Sequence, residues 1–461
     1  MSIWSILVVI LMLGLLVTIH ELGHFIVARL LKIKAFEVSI FVGPKLFSWR
    51  KKDVDWSIRA LPFGAYVRFS DFDEEGNVIQ SDDPDLLVNQ KRWKRLLVAL
   101  AGPFMNAVLG IILFLALFCI NGYATLDAAP TLEDSQLYNA VLELDGEIRG
   151  PGENTFCSGD TITHINGSRV FTYLDFYYEM ENGVSPVKEM DVRFISSKTG
   201  DSYTLKLVPE LTQKAMIGIT HYGDTDNKYN GWEVASVYDE QNGGHPVLKP
   251  GDFLVRIDGI SVSDEEAISK HCQELKDGEM MTLEYVRNGE ERKDDCVVST
   301  ITVTNDRGLR VIYNDVDSVS HFFGALKTAA LMPLTVCNVS IKAIGDVFEG
   351  EEEVYNMVSG PVGVTSVVSD VVDNVDSTFF VKFLSVLQLS AIISIGLMFT
   401  NMLPIPGLDG VQVILIIVEM IIGRPLSKKA ENVINIVGFV LLLALVTFAF
   451  ASDIIRIVLG G

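Results

Sequence analysis

The chain has 461 residues, 49% of them hydrophobic and 21% charged, with a formal net charge of −22 and a mean hydropathy of +0.32. The positive mean hydropathy and the clustering of apolar residues argue against a wholly soluble protein, and the acidic balance leaves no basic face for phosphates, which excludes nucleic acid as a partner. The five cysteines (119, 157, 272, 296 and 337) form no CxxC pair, which argues against a disulfide framework, a thiolate zinc site and thioredoxin-type chemistry; Cys272 and Cys296 could bridge only in an oxidising compartment.

In chain order, residues 3–31 form an apolar run long enough to cross a hydrocarbon core of about 30 Å. A cleaved signal peptide is the alternative there, but no Lys or Arg precedes the run and its polar residues sit in its middle. Further spans are expected at 96–120, 383–403 and 433–452, making four transmembrane helices, whereas 411–422 is too short to cross and should dip or lie at the interface. Charge orients the set. Residues 32–95 carry 12 basic and 10 acidic side chains, while 121–378 carry 19 basic and 44 acidic ones. The loops 32–95 and 404–432 therefore belong in the cytoplasm, and the acidic block and both termini on the far side.

That block contains a repeat at an offset of 92 residues. Gly159-Asp160 to Val170 aligns with Gly251-Asp252 to Val262 in the pattern GDxφxxI[ND]Gxxφ, where φ is apolar. The pattern describes a short strand ending in an Asn-Gly or Asp-Gly hairpin turn. Both copies resemble PDZ domains, which bind extended peptides or chain ends by strand addition; two spacer domains are the plainer reading. Their expected limits are 121–221 and 222–305, followed by an exported amphipathic helical region at 306–378 with an acidic cluster at 349–353.

Chemistry enters with His20-Glu21-Leu22-Gly23-His24, an HExxH motif inside the first span. On a helix, i and i+4 share a face, so both imidazoles reach one metal ion and Glu21 stands beside it as a general base. Ionisable residues at this depth cost several kcal/mol unless paired or ligating. A hydrolytic zinc site needs a third protein ligand, and Leu30 occupies the position of the usual third histidine. Asp409, in Asn401-Met-Leu-Pro-Ile-Pro-Gly-Leu-Asp409-Gly410, is the conspicuous carboxylate beside another span; a solvated Pro-Gly turn is its plainer reading.

With HELGH in the first span, NMLPIPGLDG after the third and two inserted PDZ-like repeats, the whole chain resembles the site-2 proteases, most closely the branch of the bacterial regulator of sigma-E protease. Phe41-Val-Gly-Pro44, Leu61-Pro-Phe-Gly-Ala-Tyr-Val-Arg68 and Gly102-Pro-Phe-Met-Asn106 carry the likeness further; Ala65 departs from it, where a second Gly is more usual. The resemblance implies Zn2+ on His20, His24 and Asp409, Glu21 as the base, and Asn106 and Asn401 holding the substrate backbone. It also implies a small sheet over 36–69 that dips into the membrane and takes the substrate as an added strand, with a β-hairpin lying on the cytoplasmic surface as the plainer reading; Val54, Trp56, Ile58 and Ala60 alternate with Asp55, Ser57 and Arg59 as in a half-buried strand.

The expected domains are therefore 1–120, 121–221, 222–305, 306–378 and 379–461, and the expected activity is intramembrane cleavage of single-span membrane proteins. The resemblance implies a bacterial inner membrane, a stress response, a trimmed anti-sigma factor or signal-peptide remnant as substrate, and a peptide or chain end at the PDZ repeats. The rival expectation is a non-catalytic membrane scaffold or chaperone that binds exported peptides; a metal transporter would spread ionisable residues over several spans.

Overall fold

An apolar backbone at membrane depth must satisfy its own polar groups, which restricts it to helix wherever protein does not cover it. In the computed structural model, which describes residues 2–70, 82–130, 132, 135–144, 146–150, 155–181, 185, 187–222, 227–237, 247–349, 361–373, 378–405, 407–425 and 427–459, the apolar runs are helical throughout. The helices are α1 (Ile3–Leu30), α2 (Arg92–Asn121), α3 (Tyr173–Glu181), α4 (Glu265–Glu274), α5 (Val319–Glu349), α6 (Pro361–Val372), α7 (Phe379–Met402), α8 (Asp409–Ile422) and α9 (Lys428–Leu459). By contacts the chain divides into two units, Met1–Leu126 with Val170–Tyr178 and Ile312–Gly461, and Asp127–Arg169 with Glu179–Val311.

The first unit is a helix assembly. Among the described residues, α1, α2, α5, α7 and the Ile436–Asp453 part of α9 are long and apolar enough to cross a membrane, one more than the four expected. The addition is α5, the least apolar of the five. Its Ala325, Ala329 and Met332 share a core with Phe114, Leu117 and Phe118 near the Asn121 end of α2, and with Leu384, Ala391 and Ile395 of α7. Further along α5, Thr335 and Asn338 donate hydrogen bonds to Asp175 of α3 (2.7 and 2.8 Å), a carboxylate only 1% exposed. Most of the expected acidic cluster at 349–353 lies outside the described residues.

Between α1 and α2 lie β1 (Glu37–Lys51) and β2 (Val54–Arg68), each long enough to pair twice. Glu37–Ile40 pairs antiparallel with Ala65–Arg68, and Phe47–Lys51 pairs antiparallel with Val54–Ile58. Between these arms the partners advance in step, Glu37 opposite Asp55 and Ile40 opposite Ile58, so that stretch runs parallel. The lateral order is 65–68, 37–40, 55–58, 47–51. The sheet follows α1: Val67 meets Glu21, the Trp56 ring lies 5.4 Å from Phe25, and a Cβ at Gly14 would come within 2.7 Å of Phe41. From Phe25 to Gly14 is about 16 Å of helix at 1.5 Å per residue, so the sheet reaches well into the depth of α1.

This sheet follows the expected alternation in part. Val54 is buried and Trp56 and Ile58 are half-buried, as expected, but Ala60 is exposed and Glu37, Ser39 and Ser57 are buried. Leu46, Phe47, Trp49 and Leu61 also face outward. The half-buried period holds at Val54, Trp56 and Ile58, while a polar cluster is gathered inside the sheet beside Val38 and Val54. There Glu37 accepts hydrogen bonds from Ser57 (3.0 Å) and Arg59 (2.9 Å) and pairs with Lys45 and Arg68. Burial alone would raise its carboxyl, but the bonds from Arg59, Ser57 and Lys45 outweigh burial and hold it at about 2.

The second unit is built from strands, beginning as β3 (Tyr123–Ala128) crosses into it. The following strands are β4 (Val141–Leu144), β5 (Glu147–Arg149), β6 (Thr161–Ile165), β7 (Ser168–Arg169), β8 (Met190–Ile195), β9 (Ser202–Leu207), β10 (Leu211–Met216), β11 (Ile219–Tyr222), β12 (Trp232–Val237), β13 (Phe253–Ile257), β14 (Ile260–Ser261), β15 (Met280–Arg287), β16 (Glu290–Val297) and β17 (Ser299–Thr304). One sheet contains β6-β8-β9-β4-β5 in that order, the other β11-β12-β13-β15-β16, and β10 pairs with β17. The repeat is visible in the hairpins: Asn166-Gly167 and Asp258-Gly259 both take positive φ (47° and 78°, 46° and 79°), and each leading side chain accepts a backbone N–H, from Asp191 or Thr282. Two positive-φ residues in a two-residue loop match the right-handed twist of the flanking strands. After β17 the chain returns to the first sheet's neighbourhood, where Ala129, Gln136 and Leu137 donate to the carbonyls of Arg310, Asp306 and Arg307. The second repeat is thus enclosed in sequence by parts of the first. Cys272 and Cys296 are free thiols buried in the core of the second sheet, and burial pushes Cys296 up to about 11.

Candidate metal centre

The centre forms where α1 crosses α2. The one-turn spacing of His20 and His24 puts both rings on the face of α1 that meets α2, and a Cβ at Gly23 would lie 2.4 Å from the Ala101 carbonyl, so this crossing is close because Gly23 lacks a side chain. Opposite, a Cβ at Gly102 would lie 2.3 Å from His24 Nε2 and 2.6 Å from His20 Nε2. Gly102 therefore leaves a cradle beside the two ring nitrogens that any other residue would fill.

The third group arrives through the break after α7. The chain leaves the helix at Met402, turns through Pro404 and re-enters as α8 with Asp409 in its first turn. Asp409 Oδ2 lies 2.9 Å from His20 Nε2 and 3.3 Å from His24 Nε2, and the two Nε2 atoms are 3.3 Å apart. Three ligand-type atoms this close and largely buried need a shared hydrogen or a cation between them. A tetrahedral zinc ion with bonds of about 2.0–2.2 Å would space its ligands by about 3.3–3.6 Å; the two 3.3 Å separations match that spacing, the His20–Asp409 pair at 2.9 Å is closer, and the two-imidazole, one-carboxylate donor set and the cradle at Gly102 suit such an ion. Among the described residues this is the one group of three His, Cys, Asp or Glu side chains drawn together in this way.

The surroundings orient each member. His24 Nδ1 lies 2.7 Å from the Val98 carbonyl. Pro103, inside α2, has no N–H to offer the Ala99 carbonyl. Glu21, half-buried, accepts the Val67 backbone N–H (3.1 Å), which turns its carboxylate toward the strand 65–68. Helix α8 runs back along α2, where Val413 and Ile416 pack on Ala99 and Glu419 pairs with Arg95 at 2.8 Å.

Of the residues singled out in the sequence, His20, His24 and Asp409 meet and Glu21 stands beside them. Asn106 is fully buried against His20, its amide nitrogen 3.2 Å from Nδ1. The amide of Asn401 donates to the Leu397 carbonyl of its own helix (2.9 Å). Sequence reasoning attached no role to Gly102, Val98 or Val67. The signal for Gly102 was present: Gly102 and Asn106 repeat on α2 the one-turn spacing of His20 and His24 on α1. The Val98 carbonyl and the Val67 N–H are backbone groups that no motif marks.

Comparison with known proteins places these features in a family. The sequence model of Peptidase family M50 matches residues 8–445. Curated proteins named "Putative zinc metalloprotease" match across nearly their whole length. One from Staphylococcus aureus is 25% identical, covering 98% of both chains; one from Neisseria meningitidis is 26% identical over 96% of this chain and 97% of its own. Another, from Thermotoga maritima, is 24% identical over 95% of this chain and 97% of its own. Among solved structures, the HtrA-type protease AlgW with decapeptide aligns over 38% of this chain and 63% of its own at 13% identity and a TM-score of 0.19, too low to bear on the fold.

Proposed function

The chain belongs to Peptidase family M50, the site-2 proteases, and from that premise we propose that it cleaves membrane proteins at a zinc centre formed by His20, His24 and Asp409. The observation that carries this reading is the meeting of His20 and Asp409, 389 residues apart in sequence, within 2.9 Å and beside the Glu21 carboxylate. Zinc, when bound, supplies Lewis acidity toward a scissile carbonyl and toward water. Glu21 then takes the proton of the attacking water on its carboxylate and delivers it to the leaving amine. The strand 65–68, which turns its Val67 N–H toward Glu21, receives the substrate as an added strand. A transmembrane helix hides its peptide bonds in its own hydrogen-bond ladder, so it must unwind to be cut.

Four helices, α1, α2, α7 and α9, cross a bacterial inner membrane in this reading, and α5 lies along the exported ends of α2 and α7. In support, the α5 partners on α2 are Phe114, Leu117 and Phe118 near its Asn121 end, and Thr335 and Asn338 bind Asp175 of α3; on α7 the shared core runs from Leu384 to Ile395. The strand-rich unit and both termini face the periplasm and the centre faces the cytoplasmic side, following the basic loop 32–95. The substrates are single-span proteins already trimmed outside, of the anti-sigma-factor type, or signal-peptide remnants. The two repeats, PDZ-like in their turns, admit trimmed chains by binding an end; Asn401 contributes to the substrate cleft.

The test is cleavage of a trimmed single-span reporter by wild type and Glu21→Gln. Cleavage by wild type alone, abolished by a chelator, supports the protease; equal cleavage by both moves the activity elsewhere. Equally fast cutting of a reporter that retains a folded exported domain would remove the filtering role of the repeats. If neither protein cut while both bound exported peptides, the scaffold reading would replace it.

A further inference from the structure

Asn106 has no exposed surface, and its side chain stands against the His20 ring with Nδ2 3.2 Å from Nδ1. Its own carbonyl accepts the Ser394 hydroxyl at 2.8 Å, which ties this turn of α2 to α7. Its amide oxygen Oδ1 is buried without a hydrogen-bond partner. A buried polar atom left unmet costs about 1–3 kcal/mol, so this orphan needs a reason.

The two histidines supply it. Both direct Nε2 at Asp409 and at each other, and a ring that ligates through Nε2 carries its hydrogen on Nδ1. For His24 that hydrogen reaches an oxygen, the Val98 carbonyl at 2.7 Å. The equivalent hydrogen of His20 points at Asn106. With the amide nitrogen facing it, two donors confront each other and Oδ1 stays unmet; a half-turn of the amide brings Oδ1 onto the Nδ1–H. Oxygen and nitrogen of an amide differ too little to fix that choice except by hydrogen bonding. The half-turn leaves the NH2 end unmet instead of the oxygen, so the balance is decided by replacing a donor–donor contact with a hydrogen bond.

Resting on the zinc-protease reading, we propose that Asn106 is a positioning residue of the metal centre. Its amide oxygen accepts the Nδ1–H of His20 and thereby holds the ring in the tautomer that frees Nε2 for the ion. It does for His20 what the Val98 carbonyl does for His24. The resemblance to the family had assigned Asn106 to the substrate backbone. Burial between α1 and α7 argues for the histidine instead.

Metal retention separates these roles without reference to turnover. The purified full chain, in detergent, is equilibrated with zinc against a graded chelator series and its metal content measured, with monodispersity as the folding control. Asn106→Leu and Asn106→Ala, which remove the acceptor at different volumes, should retain zinc about 10- to 100-fold more weakly than wild type. Asn106→Asp, an acceptor of the same shape with no donor, should retain it as wild type does. The inference is overturned if a folded Leu or Ala variant holds zinc as tightly as wild type, or if Asn106→Asp loses as much as they do. His24→Ala provides the reference for a broken site. Should wild type hold no more zinc than His24→Ala, the zinc reading itself falls and the inference with it, whereas tight binding by both wild type and Asn106→Leu removes the inference alone.

Discussion

Two residues far from conventional catalytic chemistry carry much of this site. Gly102 contributes an absence: a methyl group there would stand 2.3 Å from His24 Nε2 and 2.6 Å from His20 Nε2, inside the space an ion needs. Gly102→Ala should therefore leave a folded protein that holds zinc at least about 10-fold less tightly and cleaves correspondingly poorly. Full zinc content in that variant would mean that the ion sits elsewhere. Glu37 contributes charge. Its carboxyl is held at about 2, below its ordinary value of 4.5, so the stabilisation it gives the sheet is complete above the ordinary value and is lost as pH falls through the folded one. Protection of the Phe36 amide, which donates to the Arg68 carbonyl, taken relative to the intrinsic exchange rate at each pH, should fall in wild type as pH is lowered from 6 toward 2. In Glu37→Gln that protection should already be low at pH 6; identical profiles would show that the carboxylate does not hold this sheet.

At the level of elements, the strand 65–68 acts as a fixture for Glu21, and α2 for His24 through the Val98 carbonyl. The Val67 N–H points away from β1 to Glu21, and proline is tolerated on an edge strand where its missing N–H does not interrupt the ladder. Val67→Pro should keep the sheet and the zinc but lose the hydrogen bond to the carboxylate. A bond to a charged group is worth about 1.5–3 kcal/mol, so cleavage should slow by about 10- to 100-fold at unchanged metal content. An unaltered rate would free Glu21 from the strand. The elements themselves were largely legible in the sequence. The spans follow from apolar length, and the Asn166-Gly167 and Asp258-Gly259 hairpins follow from a turn geometry few other residue pairs allow. The half-burial of Val54, Trp56 and Ile58 was legible from the alternation, whereas the burial of Ser57 was not, because nothing in the period records that its hydroxyl meets Glu37 and Ser39. Pairing of one β1 segment with two parts of β2 was also hidden, since nothing in the local pattern of 37–40 records that 55–58 lies on one side and 65–68 on the other. Within the centre, side-chain motifs brought His20, Glu21, His24 and Asp409 to attention, while the backbone groups of Val98 and Val67 leave no trace in residue identity.

For the whole molecule the open quantity is the number of crossings, because α5 alone decides whether the two halves of the centre can lie on one side of the membrane. Composition makes α5 a fifth candidate, whereas the proposed four-span reading keeps it out of the bilayer on account of its polar partners. Asp175, 1% exposed, binds Thr335 and Asn338 halfway along the helix, and Tyr178 binds Asp346 near its end. A helix in lipid has to satisfy such groups against other membrane helices, and here the partner is α3, a nine-residue helix flanked by the strand-rich unit. There is also a topological constraint. Asp409 reaches His20 through the turn after α7, so α7 must enter from the face opposite the centre, the face on which α2 ends at Asn121. An α5 that crossed would deliver α7 from the wrong side unless another segment crossed back. Cysteines introduced at exposed Ser318 and Thr378, one before and one after α5, in a background without the five native ones, test this directly. Both should react with an impermeant thiol reagent applied to the same face of sealed vesicles, and both should be shielded from the other. Reaction from opposite faces would establish an odd number of crossings between the two positions, make α5 a span and overturn the four-span reading.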